Sequence, residues 1–72
     1  MMTVGEYIRK ARRDRGFTQI QLSVLSGVST QAITAWETGR MSPSILTLIP
    51  IADALNISLD ELVGRTVRNE RN

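Results

Sequence analysis

The chain has 72 residues, a formal net charge of +2, and neither histidine nor cysteine. Those two absences exclude a disulfide staple, a thiolate zinc site, a cysteine nucleophile and the commonest general base. The length predicts one small domain with a modest core. No apolar run approaches the roughly 20 residues that span a bilayer, so the expected location is the cytoplasm, with no membrane partner.

The first predicted helix runs from about Val4 to Arg15. Thr3 and Glu6 have capping-box spacing, and Val4, Tyr7, Ile8 and Ala11 share one helical face. Arg9, Lys10, Arg12, Arg13 and Arg15 crowd this segment. A basic end of this kind suits a polyanion, although a solvated helix face has the same composition. Gly16 follows as a helix-ending residue.

The second helix is expected over Gln19 to Ser26, opened by the capping pair Thr18 and Gln21 and closed by Gly27. Ser29 then caps a third helix from Thr30 to Thr38, with Ile33 and Trp36 as its buried pair. Its β-branched residues make it weak by propensity, so tertiary packing must hold it. Gly27-Val28-Ser29 is a turn of helix-turn-helix length. Leu22, Val28, Ile33 and Trp36 are expected to fill the angle between the two helices, and the small Ser23 to allow their close crossing.

In the fourth segment Ile45, Leu48, Ile51, Ala52 and Leu55 give a 3.6-residue period. Pro50 interrupts it by removing a hydrogen bond to the Leu46 carbonyl. The expectation is a kink, or a turn over 44–48 with a helix restarting near Ile49. Ser58 and Glu61 cap a short fifth helix carrying Leu59, Leu62 and Val63. The glycines are read as helix-ending residues throughout. Residues 65–72 are polar and basic, and are expected to be disordered unless a partner or nucleic acid orders them.

Arg12 through Gly16, Phe17-Thr18-Gln19, Leu22, Gly27-Val28-Ser29, Ile33, Trp36-Glu37 and Gly39 together resemble the Cro/lambda-repressor-like (XRE-type) helix-turn-helix family. Pro43-Ser44, Leu48, Ile51-Ala52, Ala54-Leu55 and Ile57 through Leu62 extend the resemblance over nearly the whole chain. It implies an all-α, five-helix domain over residues 1–64 whose third helix reads double-stranded DNA, usually as a homodimer on a two-fold operator. It also implies an ion pair between Arg12 and Glu37 joining helices 1 and 3, and a phosphate against Gln19 at the start of helix 2. The chain departs from the family at Ile20 and Val24, which are usually charged, at Ser23, usually alanine, and at Pro50, usually a polar helix former.

Candidate base contacts follow from the exposed positions of helix 3: Thr30, Gln31, Thr34 and Ala35. That helix lacks Arg and Lys, so the commonest guanine contact is missing from it, and Gln31 is its one side chain able to pair bidentately with adenine. Phosphate contacts are assigned to Gln19, Thr38, Arg40, Ser42, Ser44 and Lys10. Dimerisation is expected through helix 5 and the end of helix 4, where Ile57, Leu59, Leu62 and Val63 exceed what a short helix needs. Ile20 and Val24 lie opposite Leu22, Ser23 and Ser26, and are a candidate surface for a protein partner. That surface supports an alternative, an antitoxin or protein-interaction module on the same fold. No catalytic group, metal or cofactor is expected.

Overall fold

A computed structural model describes residues 2–64. They form five helices: α1 (Val4–Asp14), α2 (Gln19–Ser26), α3 (Thr30–Glu37), α4 (Ile45–Leu55) and α5 (Leu59–Leu62). No described helix is long and apolar enough to cross a membrane. The polar tail, residues 65–72, lies outside the described residues.

Each helix start is set by a local polar residue. Thr3, Thr18 and Ser58 all form reciprocal capping boxes with Glu6, Gln21 and Glu61, while Ser29 and Ser44 cap α3 and α4. The side-chain oxygen in each case accepts a first-turn N–H that has no partner within the helix. α2 ends at Gly27 with φ of 76°, a left-handed conformation that costs glycine little and turns the chain sharply into α3. α3 ends one residue earlier than expected, with Thr38 as its C-cap.

The core joins all five helices. Ile8, Leu22, Ile33, Ile51, Leu55 and Leu62 are fully buried, and Trp36, Leu48 and Ala52 complete the cluster. Val28 and Phe17 pack against its edge. The apolar residues of α5 and its flanks, expected to form a dimer face, serve the core first. Leu62 is core, and Ile57, Leu59 and Val63 pack half-buried against it.

Further expectations change. α4 is a single helix through Pro50, with no restart at Ile49. The carbonyl that loses its donor belongs to Leu46, 75% exposed, where water can take the bond. Ile45 is exposed rather than part of the α4 stripe, because the stripe that meets the core begins at Leu48. Gly5 is also not a helix terminator. It is buried inside α1, and a Cβ there would overlap the Trp36 carbonyl oxygen. Glycine at this position lets the α1 backbone approach α3.

Candidate nucleic-acid interface

α3 owes its placement to an ion pair on its inner face. The Arg12 Nε donates to Glu37 Oε2 at 2.8 Å and its Nη2 to Glu37 Oε1 at 2.9 Å, a bidentate, almost fully buried contact between α1 and α3. The Arg12 Nη1 donates to the Phe17 carbonyl at 2.8 Å, which ties the α1–α2 connection to the same guanidinium. Hydrogen bonding to Glu37 raises the pKa of Arg12 above its ordinary value, against the opposing effect of burial.

Gln19 joins this pair to the outer face of α3. Its Nε2 donates to Glu37 Oε1 at 3.0 Å, and its Oε1 accepts from the Thr34 hydroxyl at 2.7 Å. No linear pattern announces this bridge, since Gln19 stands 15 and 18 residues from its two partners. The side chain assigned to a phosphate is thus also a bracket between α2 and α3.

The remaining candidates separate into two groups. Gln31 is exposed and Thr30 and Thr34 are half-buried, so these three share the outer face of α3. Arg40, Ser42 and Ser44 lie in the connection from α3 to α4, and all three are exposed. Ala35 is only 5% exposed, which removes it from the base contacts. The chain after α3 folds back over it, with the N–H groups of Arg40 and Met41 donating to the Ala35 carbonyl at 2.9 and 3.2 Å.

Thr38 is exposed, but its hydroxyl donates to the Thr34 carbonyl at 2.8 Å. A phosphate oxygen only accepts, so Thr38 would exchange this bond for one to a phosphate. Lys10 is not brought to the group. It pairs with Asp14 at 2.9 Å and borders a groove of about 360 Å³ with Tyr7, Arg15, Ile57 and Glu61, between α1 and α5.

Residues 8–62 match the model of the helix-turn-helix family. The chain belongs to that family, in its XRE-type branch. This helix-turn-helix chain is 40% identical over 63 residues to an uncharacterised HTH-type transcriptional regulator, y4dJ, of Sinorhizobium fredii, covering 88% of this chain and 82% of that one. It is 38% identical to the immunity repressor protein of Bacillus phage phi105 over 88% of its own length and 44% of the repressor. It is 36% identical to the cryptic phage CTXphi transcriptional repressor RstR of Vibrio cholerae, over 96% of its own length and 62% of that protein. The helix-turn-helix chain thus spans about half of the two phage repressors and most of the first regulator. By family it is a DNA-binding transcription regulator, and the fold is lambda-repressor-like.

Proposed function

We propose that the chain is a cytoplasmic repressor that binds a two-fold operator as a homodimer and reads it with the outer face of α3. The observation that carries this reading is the division of α3 into two faces. Ile33, Trp36 and Glu37 lock one into the domain, while Gln31 is free on the other, flanked by Thr30 and Thr34. Gln31 suits an adenine, taking N7 and N6 together, and the Thr30 methyl suits a thymine methyl. Arg40, Ser42, Ser44 and the α2 start with Gln19 are the phosphate contacts, which set register without reading sequence. No enzymatic step belongs to this reading.

Selection of bound duplexes from random sequence tests it. Two half-sites about one helical turn apart are expected, with one A·T pair specified by Gln31. Gln31→Ala should lose about 1–3 kcal/mol on the best site and relax preference at that pair alone. Recovery of no preferred sequence would overturn the reading.

The homodimer is better served by α4 than by α5. Met41, Ile45, Leu46 and Ile49 are exposed, and they follow directly on Arg40 in the phosphate-facing connection. A second reading, a protein-interaction module of the antitoxin kind, is favoured by a different surface. Ile20 and Val24 are 68% and 78% exposed, and with Phe17 and Leu25 they line an apolar groove of about 310 Å³. If Ile20→Glu/Val24→Glu keeps its fold and its DNA affinity but no longer retains a protein that the parent captures, that module operates alongside DNA binding.

A further inference from the structure

The buried pair does more than brace α3, because its charge propagates outward through donor and acceptor order. A carboxylate can only accept, so the amide group of Gln19 facing Glu37 Oε1 must be the NH2 end. Its carbonyl end then faces the Thr34 hydroxyl, and at 2.7 Å that hydroxyl must donate. A threonine hydroxyl has one proton and two lone pairs. With the proton held by Gln19, Thr34 has only lone pairs and its methyl left for a ligand. The neighbouring Thr38 has the same polarity, since its own proton goes to the Thr34 carbonyl.

Resting on the DNA-binding reading, we infer that Gln19 is a positioning residue that fixes the hydrogen-bond polarity of Thr34, so that this residue selects a base with an exocyclic amino group. In the major groove those donors are adenine N6 and cytosine N4. Guanine O6 and N7 and thymine O4 are acceptors, and would meet the lone pairs of Thr34 without a proton between them. The recognition face is therefore not a set of interchangeable polar groups. Gln31 can both donate and accept, whereas Thr34 only accepts. Substitution at Gln19, remote in sequence from α3, changes base preference by returning the Thr34 proton to the DNA side.

The test compares base preferences of the parent, Thr34→Val and Gln19→Leu by selection from random duplexes, followed by titration of single-base variants. In the parent, one position per half-site should prefer adenine or cytosine. Thr34→Val, nearly the same shape without the hydroxyl, should flatten that preference by about three- to tenfold, the range for one neutral hydrogen bond. Gln19→Leu should admit guanine and thymine at the same position while preference elsewhere holds; Gln19→Met replaces it if the leucine variant does not fold. A base-analogue titration needs no folding assumption for Gln19. Replacing the preferred adenine by purine, or the preferred cytosine by pyrimidin-2-one, should weaken the parent as much as Thr34→Val does and leave Thr34→Val indifferent. A Thr34-dependent position that selects guanine or thymine, or no Thr34-dependent position at all, overturns the inference. So does a Gln19 variant with unchanged preference there. A parent that selects no sequence at all overturns the DNA-binding reading itself, and this inference with it.

Discussion

Glu37 receives three donors from two helices: Nε and Nη2 of Arg12 in α1 and Nε2 of Gln19 in α2. Removing its carboxylate leaves the Arg12 guanidinium buried without a counter-charge. Glu37→Ala should therefore cost about 3–5 kcal/mol, the usual penalty for breaking a buried pair from one side. In a domain this small that is a large share of total stability, and thermal or urea unfolding would register it. A melting temperature within a degree or two of the parent would show that the pair contributes little. The raised pKa of Arg12 gives a stability contribution that is fully present below the ordinary arginine value and is lost only above it, so none is lost from Arg12 across neutral pH. The exposed Lys10–Asp14 pair is the useful contrast, because water and salt screen it and Lys10→Ala should leave the melting temperature close to that of the parent. Sequence resemblance pointed to the Arg12–Glu37 pair, but not to its continuation through Gln19 to Thr34. That extension depends on the crossing of α2 and α3, which brings residues distant in the chain within hydrogen-bond reach.

At the scale of elements, helix starts are legible because capping is local. The cap and the residue three positions later identify each other, and Thr3 with Glu6, Thr18 with Gln21 and Ser58 with Glu61 all pair as their spacing predicts. Pro50 misleads for the opposite reason. Its local penalty is real, but Leu48, Ile51, Ala52 and Leu55 bury on one side of α4 and hold the helix through it. Pro50→Ala restores the missing N–H and should stabilise the domain by about 1–3 kcal/mol, seen as a higher melting temperature. A lower one would mean that the half-buried ring packs better than an alanine. Gly5→Ala should act in the other direction. Alanine is the better helix former, yet its Cβ would displace the Trp36 carbonyl, so a loss of about 1–3 kcal/mol is expected from overpacking against α3. A Gly5→Ala variant as stable as the parent would show that α1 and α3 can separate without cost.

For the molecule as a whole, the distribution of apolar surface separates the two interaction readings. Leu62 of α5 is buried in the core and Leu59 packs half-buried against it, whereas Leu46 and Ile49 on α4 remain exposed. Leu46→Glu/Ile49→Glu should leave the monomer folded, reduce self-association in sedimentation, and weaken binding to a two-fold site more than to a half-site. Equal weakening of both would place the dimer contact elsewhere. Arg40, proposed as a phosphate contact, belongs to the same scale because such a contact acts through charge, not through shape. Arg40→Ala should weaken all duplexes alike and lower the slope of log affinity against log salt by about one unit. A change in base preference instead would make Arg40 a base contact.

Periodicity and capping by themselves determined the number, order and main boundaries of the helices, and the specific spacing around Gly27, Ile33 and Trp36 identified the helix-turn-helix. Both depend on interactions within a few residues, which a linear sequence displays directly. Tertiary structure alone decided which outward positions stay outward. Ala35 falls on the exposed side of an isolated helix, but the chain at Arg40 and Met41 returns over it and bonds to its carbonyl. Leu59, Val63 and Ile57 look like surplus on a four-residue helix, but they cover a core supplied mostly by residues far away in the chain. The proton order along Arg12, Glu37, Gln19 and Thr34 is of the same kind: each side chain has a fixed capacity to donate and accept, and only packing three helices together determines which capacity is left for DNA.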